Sequence, residues 1–148
     1  MRLADIDTDV ETAATTIAEL RRRRHDLERA EVQIHTLLGA VCTRIELIET
    51  VQAARLDHVS ACERLEILLA ALPELDTPTG IDHELLDEVD LDGGLRLSHV
   101  AHAEPHVLED EIDRLLWHQR RLSDTCDCVM STINEICVEI RHRYRTTT

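Results

Sequence analysis

Hydrophobic residues recur with heptad spacing over the first half of the chain, beginning at the sequence Thr8-Asp-Val-Glu11. In this capping-box pattern the Thr hydroxyl accepts from an orphan amide and the Glu side chain reaches back, so we expect a helix to begin at about residue 8. The repeat weakens beyond residue 48, but an apolar helical face continues to Leu72, and Pro73 ends it. The pattern predicts one long helix over about 8–72.

The two core positions of this first repeat differ in character. The d positions are apolar throughout: Ala13, Leu20, Leu27, Ile34, Val41 and Ile48. The a positions are Val10, Ile17, Arg24, Glu31, Leu38 and Ile45. An apolar a/d seam is typical of a coiled coil, and here it is interrupted only by Arg24 and Glu31.

A second heptad repeat begins at Pro105, a residue favoured in the first turn of a helix. Acidic residues at 109–111 lie near the predicted N-terminus and basic residues at 141–145 near the C-terminus, as the helix dipole favours. The predicted core positions are Leu108, Ile112, Leu115, Gln119, Leu122, Cys126, Val129, Ile133, Ile136 and Ile140. We expect a long helix over about 105–144.

The segment between the two repeats, 73–104, holds the Pro-rich and Gly-Gly turn signals and is acidic. Apolar spacing within it indicates one short helix at 81–90, and the alternation Leu95-Arg-Leu-Ser resembles a short strand. The chain should reverse here. The sequence therefore predicts a single all-α domain over 1–148: a helical hairpin of two long antiparallel coiled-coil helices joined by an irregular connector.

The second repeat has an apolar stripe wider than a two-stranded seam, because Leu116, Met130, Cys137 and Tyr144 flank its core positions. A stripe of this width favours a bundle over an isolated helix pair. If the hairpin folds back at 73–104, Pro105 lies near Leu72 and residues 8–33 overhang the second helix. An uncovered apolar stripe is unfavourable by about 25 cal/mol per Å², so we expect the overhang to pack on another chain.

The predicted interface comprises the overhang residues and one exposed anchor: Val10, Ile17, Leu20, Arg24, Leu27, Glu31 and Trp117. In a parallel, in-register homodimer Arg24 and Glu31 would each face their own copy, which is unfavourable for like charges. Antiparallel or heteromeric pairing is therefore favoured. Trp is well suited to anchor an interface.

Composition narrows the classes of partner. The net charge is −14, which repels nucleic acid and anionic membranes. The chain has no apolar signal segment and its five Cys lack a disulfide-rich spacing, so we expect a soluble cytoplasmic protein with free thiols. Its positive charge comes from Arg without Lys, which suits a GC-rich genome, and the acidity also suits a halophile whose high salt screens self-repulsion.

The densest set of metal-ligand residue types is His99, His102, His106 and Glu109. Because Pro105 interrupts any helix that would align the three His side chains, ordinary surface histidines are the favoured interpretation. The sequence contains no Gly-rich phosphate loop and no nucleophile–base–orienter set, so it predicts neither a cofactor nor catalysis.

The spacing of apolar residues along the chain is almost entirely of the kind that packs helices together. It favours a structural or adaptor protein that acts through protein–protein interaction. Such a protein would form a homo-oligomer or pair with a related coiled coil. Two alternatives remain. One is a small metal-binding or metal-dependent protein that uses the cluster from His99 to Glu109. The other is a chaperone-like holder that binds clients at a tip formed by residues 81–100.

Overall fold

The computed structural model of the chain describes residues 1–9, 15–56, 59–71, 78–91 and 95–146. All regular structure in these ranges is helical, as the sequence predicted. The α-helices are α1 (Ile17–Arg55), α2 (Val59–Ala70), α3 (His83–Val89) and α4 (Pro105–Thr146), and two 3₁₀ helices cover Leu3–Asp5 and Leu97–His102. The alternation at 95–98 thus leads into a 3₁₀ helix instead of a strand.

Helix α1 begins later than the sequence pattern indicated. Its N-cap is Thr16, whose hydroxyl accepts from the Glu19 amide at 3.2 Å while the Glu19 carboxylate accepts from the Thr16 amide at 3.0 Å. The expected start at residue 8 is wrong because the second Thr-x-x-Glu sequence supplies the capping box. Residues 6–9 are not helical, and residues 10–14 lie outside the described ranges.

The predicted helix over 8–72 also ends early, at Arg55. The Leu56 amide donates back to the carbonyls of Ala53 and Ala54, which closes the last turn. Helix α2 then runs antiparallel along the C-terminal half of α1, where Arg64 forms an ion pair with Glu46 and the Cys62 thiol donates to the Ala54 carbonyl at 3.8 Å. Because the chain folds back after α1, the apolar side of α2 packs on α1. If α1 had continued straight, this apolar side would extend beyond α4 into water.

Helices α1 and α4 form the antiparallel pair on which the fold is built. The Cys126 thiol lies 3.8 Å from His35 Nδ1, and the Gln119 amide donates to the Cys42 thiol at 3.1 Å. At one end the Arg21 guanidinium donates to the Tyr144 hydroxyl. The expected overhang of residues 8–33 is wrong for the described residues from Arg21 onward. Because α1 ends at Arg55, α4 begins beside that residue instead of beside Leu72 and so reaches the start of α1.

The core is centred on this pair and is closed on one side by the N-terminal segment and α3. Leu3, Leu85 and Val89 belong to it, and Leu85 and Val89 are fully buried. The Met1 amino group donates to Asp82 at 2.8 Å and to Glu84 at 2.6 Å, and Thr132 donates to the Thr8 carbonyl at 3.1 Å. Residues 1–9 thus form a strap that ties α3 and α4 together.

Candidate protein interface

The predicted interface residues of α1 divide into buried and half-buried positions. Leu20 and Leu27, expected to face a second chain, are 0% and 5% exposed because α4 and the rest of the chain cover them. Ile17, Arg24 and Glu31 are half-buried. Val10 lies outside the described residues.

This division arises because the buried side of α1 is rotated about the helix axis relative to the predicted a/d seam. The described d positions from Leu20 to Ile48 are all buried, but the second buried row is the g row, which includes Ala30, Leu37 and Val51. The strap and α3 pack on that side, so they draw the g row inward. The a row from Ile17 to Leu38 is left half-buried at the edge of the pair, and only its last member, Ile45, is buried.

The a row of α1 and the facing edge of α4 form a partly open surface. On α4, Met130 is 44% exposed and Tyr144 is 47% exposed. We call this surface the seam face, defined by Ile17, Arg24, Glu31, Leu38, Met130 and Tyr144. Arg24 Nη1 lies 4.0 Å from Cys137 Sγ, which places the guanidinium over the groove between the two helices.

Helix α2 presents a second open surface. None of its residues is buried, although Leu65 and Leu68 pack partly on the core. On the opposite side Val59 is 75% exposed and Ile67 is 70% exposed. With the exposed Ala70 these residues form the α2 outer face, which the sequence pattern alone did not separate from the core-facing side.

Trp117 is 56% exposed and is held by two neighbours on α4. The Arg121 guanidinium lies 5.3 Å from the centre of the indole, and the His118 ring meets its edge with 4.9 Å between centroids. Arg121 also pairs with Glu88 at 2.8 Å. Partial burial lowers the pKa of His118, and the charges of Arg114 and Arg121 lower it further. The role of Trp117 as an interface anchor stays a prediction.

The structure does not gather the candidate metal ligands. His99 and His102 lie on the 3₁₀ helix Leu97–His102, His106 and Glu109 lie in the first turns of α4, and all four side chains are exposed. Within the described ranges, no three His, Cys, Asp or Glu side chains lie close enough to hold a metal ion.

In the described part of the segment proposed as a client-binding tip, 81–100, the apolar side chains pack inward. Ile81, Leu86, Leu95 and Leu97 are half-buried against the core, and Leu85, Val89, Leu91 and Val100 are each at most 3% exposed. They complete the core beside α1 and α4.

All five cysteines are free. Cys126 is buried, and burial raises the pKa of its thiol, with smaller contributions from Glu31 and Asp127. The thiol is therefore held protonated, as a small core residue would be. Cys62 and Cys128 are exposed on α2 and α4.

A buried ion pair was not anticipated from the sequence. The Glu111 carboxylate, on a residue that is 6% exposed, accepts from Arg114 Nη2 at 2.7 Å and from Nε at 3.1 Å. Arg114 Nη1 also donates to the Val89 carbonyl at 3.0 Å, which joins α4 to the end of α3. The i,i+3 spacing of Glu111 and Arg114 could have indicated this ion pair. Glu111 was instead expected at the surface, where its charge would interact favourably with the N-terminal end of the helix dipole.

Among the described residues, none of the helices combines the length and the apolar character needed to cross a membrane. Comparisons with protein-family models, with curated proteins and with solved structures each found no match.

Proposed function

We propose that this chain is a cytoplasmic structural or adaptor protein that assembles with other helical chains through its apolar helix faces. The observation that carries the proposal is the α2 outer face, where Val59 and Ile67 are 75% and 70% exposed. Fully burying such a side chain contributes about 1.5–3 kcal/mol. A helix that packs on α1 by one side and exposes large apolar side chains on the other is suited to lie between its own chain and a partner.

The charge of the molecule supports a protein as the partner. A net charge of −14 disfavours nucleic acid and anionic membranes, whereas an apolar helix face needs no opposite charge to bind. Glu63, one turn after Val59 and one turn before Ile67, lies within the outer face, and Glu66 is exposed beside it. Both would favour partners that place basic residues next to their apolar side chains.

Site-specific photo-crosslinking tests this proposal. A photoreactive residue at Ile67 should give a discrete covalent adduct with a protein, identified by mass spectrometry, and Val59→Glu should abolish that adduct. The same photoreactive residue at Asp87, an exposed polar position on α3, is the matched control and should give none. Equal crosslinking at both positions, or none at Ile67, would contradict the proposal.

A further inference from the structure

The seam face is built of layers that repeat every two turns of helix. Arg24 is level with Cys137, since their side chains meet at 4.0 Å across the groove. The helices are antiparallel, so one heptad further along α1 corresponds to one heptad back along α4. Glu31 is therefore level with Met130.

The outer layers follow from the same register. Leu38 is level with Ser123, and Ile17 is level with Tyr144, whose hydroxyl accepts from Arg21 in the next turn of α1. Ile17 and Leu38 are half-buried, as is Ser123. On α1 the seam face thus has an apolar residue in the layer at each end and a charged residue in each of the two middle layers.

A second copy of the seam face, placed antiparallel on the first, presents a complementary residue to each layer. Turning a second copy end for end about the midpoint between residues 27 and 28 sets Ile17 against Leu38 and Arg24 against Glu31. On α4 it sets Met130 against Cys137 and the large Tyr144 against the small Ser123. The apolar side chains of α1 meet each other, opposite charges meet, and large and small side chains alternate, as packed helix layers require.

The charged layers are incompletely satisfied within one chain. Arg24 Nε is buried and has no hydrogen-bond partner among the described residues. The nearest carboxylate to it is that of Glu28 at 3.6 Å, which is an ion pair beyond hydrogen-bonding distance. Glu31 is half-buried and lies one heptad after Arg24, so the two residues share one row of α1.

We propose that a second copy of this chain docks antiparallel on the seam face, so that Arg24 of each copy pairs with Glu31 of the other and the two helix pairs form a four-helix bundle. This inference rests on the proposed function in that both assign the chain to protein assembly, but it uses the seam face and leaves the α2 outer face free. The homodimer would supply the helix that the a row of α1 lacks.

Charge reversal tests the pairing and its direction together. Arg24→Glu and Glu31→Arg, each alone, place like charges at both middle layers and should raise the dimer dissociation constant about a hundredfold. The double variant Arg24→Glu/Glu31→Arg exchanges the two charges and should restore the wild-type constant. An equimolar mixture of the two single variants should also dimerise. Dissociation constants come from sedimentation equilibrium.

Three results would overturn the inference: a wild-type chain that stays monomeric, single reversals that leave the dissociation constant unchanged, or a double variant no better than the singles. A parallel dimer gives the second result, because each charge would then face its own copy. Urea unfolding of each variant at a concentration below the dissociation constant checks that the monomer still folds. Val59→Glu should leave this dimer intact, so failure here and failure of crosslinking at Ile67 are separate outcomes.

Discussion

Glu111 and Arg114 form the ion pair whose removal should be most costly to the isolated chain. The Glu111 side chain is 7% exposed and receives both hydrogen bonds from one guanidinium, while Arg114 itself is 28% exposed. Replacing Arg114 by Leu leaves a buried carboxylate without its partner and should lower the free energy of unfolding by about 3 kcal/mol. Urea denaturation at neutral pH measures the change.

The ion pair of Arg64 with Glu46 provides the matched control, since these side chains are 61% and 42% exposed. Arg64→Leu should change the free energy of unfolding by about 1 kcal/mol or less. The double variant Glu111→Leu/Arg114→Leu should recover much of the loss seen for Arg114→Leu. If Arg64→Leu is as costly as Arg114→Leu, burial is not what makes the Glu111–Arg114 pair important.

The amino group of Met1 gives the molecule a dependence on alkaline pH. Hydrogen bonds to Asp82 and Glu84 raise the pKa of this group above its ordinary value of 8.0. The protonated form is favoured by folding, so its contribution to stability is complete below pH 8.0 and is lost as pH rises through the higher pKa of the folded state. The thermal midpoint should therefore fall on the alkaline side.

The variant Asp82→Asn/Glu84→Gln isolates this contribution. Burial raises the pKa of Cys126 from 9.0, so the unfolded chain loses that proton first and stability also falls above pH 9.0. The variant keeps the thiol-dependent fall and should lose the part that begins near pH 8. Parallel curves of midpoint against pH for the two proteins would show that the Met1 contact contributes nothing. In acid, the hydrogen bond from the Met1 amino group lowers the pKa of Asp82, so Asp82 stays ionised and keeps this contact as the pH falls.

At the scale of the elements, two Thr-x-x-Glu sequences compete to start the first helix, and the structure uses the later one. Thr16→Ala removes the hydroxyl that accepts from the Glu19 amide and should cost about 1 kcal/mol. Thr8→Ala is the matched control, because the contact described for Thr8 is made by its backbone carbonyl and survives the change. Urea unfolding of both variants shows which of the two threonines caps the helix. A larger loss of unfolding free energy for Thr8→Ala would place the cap at Thr8, as the sequence pattern first suggested.

The elements also show what the sequence could specify. Helix α4 was predicted to within two residues, since Pro105 begins it and the apolar rows continue to Ile140 with Gln119 as their one polar member. The break between α1 and α2 was missed because neither Pro nor Gly marks residues 55–59 and the apolar face continues past them. Tertiary packing decides there: Arg55 donates to the carbonyls of Ala101 and Ala103 at 3.2 and 2.6 Å, which fixes the end of α1 against the connector.

At the scale of the whole molecule, the heptad pattern identified helix pairing but not which rows would be buried. The described d positions of α1 are buried, as is one heptad row of α4: Leu108, Leu115, Leu122, Val129 and Ile136. The g row of α1 became the second core row because the strap and α3 pack beside it, and these contacts depend on Met1, Leu3 and Asp82, which have no periodic signal. The same displacement leaves the a row from Ile17 to Leu38 half-buried, so the candidate interface follows from the predicted repeat together with an unpredicted packing arrangement.

The molar mass of the purified wild-type chain, measured by light scattering across a wide range of protein concentration, tests the central claim that the chain assembles. The account predicts a mass that rises with concentration from 16.9 kDa to at least twice that value. A mass of 16.9 kDa at every concentration would contradict it, and the half-buried a row of α1 would then be simply the edge of a monomeric helical protein.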